Sequence, residues 1–182
     1  MDLLSPSTAA IRGAAKRNPV SMPAAKKRAE ITVGIISDTH GLLRPEALDA
    51  LKNSDMIVHA GDIGDPEILK KMEKIAPVTA IRGNIDRDPW ARKLATTDVL
   101  EADGSLIYVL HDLKELDLNP EAAGFAAVIY GHSHIAKQEM KNGVLYFNPG
   151  SAGPRRFRLP VSVGRLSVRD GELKAELVEL DV

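Results

Sequence analysis

The chain changes character at Ile31. From there ITVGIIS is a continuous apolar run closed by polar residues, the pattern of a strand buried on both faces. RPEALDALKNS follows with Pro45 suited to a first helical turn and Ala47, Leu48 and Leu51 on one face. DMIVHAGD reads as a second buried strand. DPEILKKMEKIA repeats the helical pattern, with Ile68, Leu69, Met72, Ile75 and Ala76 at i, i+1, i+4, i+7 and i+8. VTAIRGN reads as a third strand. Strand–helix–strand–helix–strand over about fifty residues predicts right-handed crossovers and a parallel sheet.

The second half has a different rhythm. DVLEADGSLIYVLHD predicts a hairpin around Asp103-Gly104, then a short helical stretch before the strand AAVIYG. KNGVLYFNPGS and VSVGRLSVRDGELKAELVEL place Asn-Gly and Asp-Gly between apolar runs, so antiparallel strands are expected. The sum is an α/β domain over residues 30–182. Its two mixed β-sheets pack as a sandwich flanked by helices, a four-layer α/β/β/α arrangement. Residues 1–29 mix Ala, Ser and Pro with Arg12, Lys16, Arg17, Lys26, Lys27 and Arg28, without aromatic residues or apolar periodicity. They read as a disordered N-terminal extension. No apolar core with a small-residue cleavage site marks a targeting peptide, and Met22 is an alternative start.

Composition narrows the chemistry. Apolar residues at 44% and charged residues at 27% of 182 give the balance of a soluble globular domain, expected in the cytoplasm. With 24 basic and 25 acidic residues, there is no strong electrostatic case for nucleic acid. No apolar run approaches the length of a membrane span. The absence of cysteine excludes disulfides, thiol nucleophiles and iron–sulfur clusters. Histidines in any metal site therefore have oxygen donors as partners.

Polar residues gather where the predicted strands finish: Ser37-Asp38-Thr39-His40-Gly41, His59-Ala60-Gly61-Asp62, Gly83-Asn84-Ile85-Asp86, His111-Asp112 and Gly131-His132-Ser133-His134. In α/β sheets ligands bind beyond the carboxyl ends of the strands. Asp38 and His40 are i, i+2, as are His132 and His134, and share a face on an extended segment. Taken singly, each allows a structural reading. Asp38 to Gly41 could be a capped turn, Gly61-Asp62 and Gly83-Asn84 ordinary turns, and His111 a surface residue. His59 reads as structural or as support for a ligand. Taken together, Asp38, His40, Asp62, Asn84, His111, His132 and His134 form a mixed nitrogen and oxygen set. Such a set suits divalent transition ions, with Mn2+ favoured and Fe, Ni, Co or Zn as alternatives. Seven ligands are too many for one such ion and suit two sharing a carboxylate, for which Asp62, on the central strand, is the candidate.

These residues resemble the calcineurin-like metallophosphoesterase family, whose pattern is D-x-H, GD, GN, H and G-H-x-H in that order. Asn148-Pro149-Gly150-Ser151 with Pro154-Arg155 is similar to its small single-domain bacterial and archaeal phosphodiesterase subgroup. The resemblance spans about residues 31 to 180. It implies the two-sheet fold, one metal held by Asp38, His40, Asp62 and His134, and a second held by Asp62, Asn84, His111 and His132. Two departures stand out. Larger members carry a histidine after the asparagine, credited with protonating the leaving group or stabilising the transition state, where this chain, like the small subgroup, has none and places Ile85; the Asp86 that would orient it remains. Asp112 follows His111 where glycine is common.

The expected activity is hydrolysis of a small phosphoester, a phosphodiester before a monoester, by a hydroxide bridging two ions. Asp62, Asn84 and His111 are the expected catalytic centre. Arg155 is a candidate phosphate contact, and Arg87 a weaker one. A homo-oligomer is admitted. The competing reading is a non-catalytic, metal-binding interaction scaffold of the retromer-subunit type, since fold alone does not make an enzyme. The complete ligand set argues against it.

Overall fold

The computed structural model describes residues 30–182; the expected extension over 1–29 and the alternative start at Met22 lie outside them. Strands β1 (Ile31–Ile36), β2 (Met56–His59) and β3 (Val78–Ala80) alternate with helices α1 (Pro45–Leu51) and α2 (Pro66–Met72). Then come β4 (Thr97–Ala102), β5 (Ser105–Leu110), β6 (Ala127–Ile129), β7 (Lys137–Lys141), β8 (Val144–Asn148), β9 (Ser162–Arg169) and β10 (Glu172–Glu179). They build two five-stranded mixed sheets, β10-β9-β1-β2-β3 and β4-β5-β6-β8-β7. The pairs β1–β2 and β2–β3 are parallel, as the crossover pattern requires.

Alternation along β1 divides the core. Val33 and Ile35 point between the sheets with Val58, Ile107, Val109, Ile129, Phe147, Leu166 and Val168. Ile36 points the other way, joining Ala47 and Leu51 of α1 and Ile68 and Met72 of α2. Both α-helices therefore cover the outer face of the first sheet. The outer face of the second sheet carries Tyr108, Leu110, Val128 and Tyr130, covered by Leu113, Leu116, Leu118 and Phe125 from a segment whose regular part is one 3-10 turn, Leu113–Glu115.

The helices are shorter than their apolar patterns. Ile75 and Ala76 lie beyond α2, because Pro77 disfavours helical geometry in the residue before it and the chain loosens into turns. The central strand of the first sheet is β1, so Asp38 follows the centre and Asp62 follows its neighbour β2. The three predicted hairpins form on Asp103-Gly104, Asn142-Gly143 and Asp170-Gly171. Positive φ at both residues of each pair suits the twist of the flanking strands. Among the described residues no helix is long and apolar enough to cross a membrane.

Phe147 is fully buried between the sheets. Phe147→Ala is expected to lower the unfolding free energy by about 3–5 kcal/mol in a urea titration. A loss under about 1 kcal/mol would mean that the sheets close over the cavity.

Candidate metal centre

Each parallel strand releases its chain at one edge of the sandwich, and the loops there meet. Asp38 sits at the junction. Its Oδ2 accepts from Ser37 Oγ (2.7 Å) and from the main-chain N–H of His132 (3.1 Å). Its Oδ1 is buried with no hydrogen-bond donor. That oxygen faces His134 Nε2 at 3.2 Å and His40 Nε2 at 3.8 Å, and the two imidazole nitrogens are 3.1 Å apart. On the other side, Asn84 Oδ1 lies 3.2 Å from His111 Nε2 and 3.0 Å from His132 Nδ1. Asp62 spans the two groups. Its Oδ2 is 3.8 Å from His40 Nε2, and its Oδ1 is 3.3 Å from His111 Nε2.

All seven residues singled out in the sequence thus converge. The ligand atoms of Asp38, His40 and His134 lie within 4.8 Å of one another, as do those of Asp38, Asp62 and His111. The chemistry of the convergence fits a cation. His111 Nδ1 donates to the Ala60 carbonyl (2.8 Å), which turns Nε2 inward with a lone pair to offer once its proton is displaced. The inward Asn84 and Asp62 oxygens and the undonated Asp38 Oδ1 are acceptors as well. Acceptors crowded together need positive charge between them, and the one main-chain donor among them, Ile85 N–H to Asp62 Oδ1 (3.0 Å), does not supply it.

The charge state of the metal-free cluster follows. Burial lowers the pKa of His40 against the pull of Asp62 and Asp38. Burial would also lower His111, but bonds to Asp62 and the Ala60 carbonyl hold it up at about 9. Burial of Asp62 is outweighed by the His111 bond and the Ile85 N–H, so its pKa falls. A protonated His111 beside an ionised Asp62 occupies the place of a cation.

The backbone is bent to make this possible. Asp38, His40, Asp62, His132 and His134 all have φ between 47° and 66°, the left-handed region. Gly83 and Gly131 let the loops touch: a Cβ on Gly83 would collide with Asp62 Oδ1, and one on Gly131 with Ser37 Oγ. Three polar residues tie the loops down. Buried Asp86, which the sequence pattern connects with orienting a histidine, accepts instead from Ile63, Gly64 and Gly83 N–H (3.1, 2.9 and 2.8 Å). Asn148 donates to the Gly131 carbonyl (2.8 Å), and Ser151 Oγ to the Asp38 carbonyl (2.9 Å). His59 is buried outside the cluster, with Nε2 2.9 Å from Thr39 Oγ1, and burial drives its pKa down to about 4.

Three arginines stand around the cluster. Arg155 Nη2 donates to the main-chain oxygen of Val182 (2.8 Å). Arg156, which no motif marks, reaches His40 Nε2 at 3.4 Å. Arg87 Nε donates to the Asn84 carbonyl (2.9 Å) and steadies a ligand loop. Asp112 Oδ2 lies 3.6 Å from His132 Nε2, behind its inward nitrogen.

A two-sheet sandwich with this cluster at the strand ends defines the class of metal-dependent phosphoesterases. Residues 31–171 match the calcineurin-like phosphoesterase superfamily domain, and the chain belongs to that hydrolytic superfamily. It is 34% identical over 163 residues to a probable metallophosphoesterase of Methanocaldococcus jannaschii, covering 82% of this chain and 81% of that one. A phosphodiesterase of the same archaeon is 25% identical, with 81% and 99% covered. The fold is shared with zinc-complexed Vps29 of Entamoeba histolytica (TM-score 0.62, 22% identity, 82% of this chain and 99% of that one).

His111 and His59 predict the pH response of the metal-free protein. The folded pKa of His111 lies above its unfolded value near 6.5, so its contribution is complete below that pH and is lost as pH rises toward 9. That of His59 lies below, so its contribution is complete above about pH 6.5 and is lost as pH falls toward 4. Thermal stability is expected to fall on both sides of about pH 6.5. Metal loading, which displaces the His111 proton, should flatten the alkaline side in a calorimetric pH series. Asp86→Ala, which strands three N–H groups, should lower stability by about 2–4 kcal/mol by denaturant titration.

Proposed function

We propose that the protein is a dinuclear metal-dependent phosphodiesterase, with phosphomonoesters as lesser substrates. Residues 30–182 form the catalytic unit. Asp38, His40, Asp62 and His134 would hold one ion; Asp62, Asn84, His111 and His132 would hold the other. The observation that carries this reading is the Asp62 carboxylate, whose two oxygens face separate groups of nitrogen ligands. The donor set favours two divalent transition ions, Mn2+ first and Fe, Ni, Co or Zn as alternatives.

Two such ions supply Lewis acidity, which neutralises phosphoryl oxygens and makes water a better nucleophile near neutral pH. The chain's own residues do the rest. Asn84 is a neutral ligand, which leaves its side of the centre more electrophilic than a carboxylate would. Ala60 fixes the His111 tautomer, and Asp38 Oδ2 fixes the loop of His132. Arg156 stands where a phosphoryl oxygen would approach His40. Ile85 offers no proton, so the leaving oxygen takes none from that position. The name of one archaeal relative, a phosphodiesterase, supports the diester reading.

The likeness to Vps29 supports a second reading, an assembly scaffold. Metal binding does not separate the two, because that protein is itself zinc-complexed; turnover does. Elemental analysis is expected to find close to two equivalents of metal. In Asp62→Ala, with folding checked by circular dichroism, both equivalents should go and hydrolysis should fall more than about 100-fold, beyond the loss of an orienting partner. No hydrolysis of any phosphodiester with Mn, Ni, Co or Fe supplied would sink the enzyme reading in favour of the scaffold.

A further inference from the structure

We propose that the segment from Pro154 to Pro160, led by Phe157, recognises the organic part of the substrate, and that this part is aromatic. The proposal rests on the phosphoesterase reading and names its substrate class. Phe157 is 94% exposed and has φ 53°. A bulky side chain in the left-handed region is strained, and an uncovered ring forgoes the gain of burial. Both penalties fall on one residue, and the fold takes no packing in return.

Its neighbours say what the ring serves. Arg156, one residue earlier, reaches His40 Nε2 at 3.4 Å. Phe157 is the next residue of the same loop. A phosphoryl group there would meet the guanidinium, and the exposed ring is the apolar group this loop can offer to the ester part of the substrate. Other exposed apolar side chains occupy equivalent places: Leu42 two residues after His40, Ile85 next to Asn84, and Ile135 next to His134. A polar cluster bordered by apolar residues suits a charged head joined to an apolar body.

Leaving-group chemistry points the same way. Ile85, exposed beside Asn84, has no proton to give, and a phenolic oxygen, with a pKa of about 10, departs unprotonated more readily than an alkanol. Water adds at phosphorus, the bond to the aryl oxygen breaks, and that oxygen keeps the electron pair as phenolate. The proton from the attacking water passes to solvent.

The test compares binding of phenylphosphonate and methylphosphonate, which are not turned over, to the manganese-loaded full chain by calorimetry. The phenyl compound should bind about 5- to 10-fold more tightly. Phe157→Ala should bring the two within about 2-fold. Phe157→Gly should do the same while raising Tm by about 1–3 °C through relief of the φ strain. Arg156→Ala should weaken both compounds alike, and Arg155→Ala neither. Equal affinities in the parent protein, a preference that survives both Phe157 variants, or a lower Tm in Phe157→Gly would overturn the proposal and leave the phosphoesterase reading standing. A dimer lost in Phe157→Ala alongside equal affinities would assign the ring to a second copy and overturn it too. Failure of both phosphonates to bind, with no metal uptake, would overturn both readings.

Discussion

The two hydrogen bonds accepted by Asp38 Oδ2 are the constraint on which the rest depends. One comes from Ser37 at the end of the first sheet's central strand, the other from the main chain of His132 beyond β6 in the second sheet. The carboxylate therefore joins the sheets at their carboxyl edge. The same residue is held through its main chain, since its N–H donates to Gly61 and its carbonyl accepts from Ser151. With Oδ2 spent on holding the sandwich, Oδ1 has no donor of its own. Architecture and ligand capacity are divided between two atoms of one side chain.

That division explains why so many polar groups near the centre do not face it. Thr39 Oγ1 donates to the Ile63 carbonyl and so accepts from His59. Asp86 gathers three N–H groups from two loops. Asn148 holds the histidine loop through Gly131 and Ser133. In a region without regular hydrogen-bonding ladders, buried main-chain groups must find side-chain partners. These residues supply them, and the ligand loops keep their shape before any ion arrives.

Much of this was legible in the sequence, for definite reasons. Continuous apolar runs gave the parallel strands, paired turn residues with Gly gave the hairpins, and Asp, His and Asn stood out because apolar strands rarely end on such groups. Other features depend on contacts that periodicity does not encode. Pro77 shortened α2 against its apolar pattern. The cover over the second sheet is largely irregular and carries no repeat. Arg155 and Arg156 are adjacent in a loop, and only the path of the chain decides which one turns to His40 and which to Val182. The clamp by Asp86 joins loops more than twenty residues apart and has no local signature.

The left-handed backbone at Asp38, His40, Asp62, His132 and His134 also shapes how the site can change over evolutionary time. Besides glycine, the residues that adopt this conformation most readily are asparagine, aspartate and histidine, the types that supply metal ligands. Branched and bulky replacements are penalised by the main chain before any ion is considered. Drift at these positions is channelled toward donors or toward glycine. A lineage that stopped using the metal would lose its ligands slowly, and it would carry a near-complete set long after turnover had ceased.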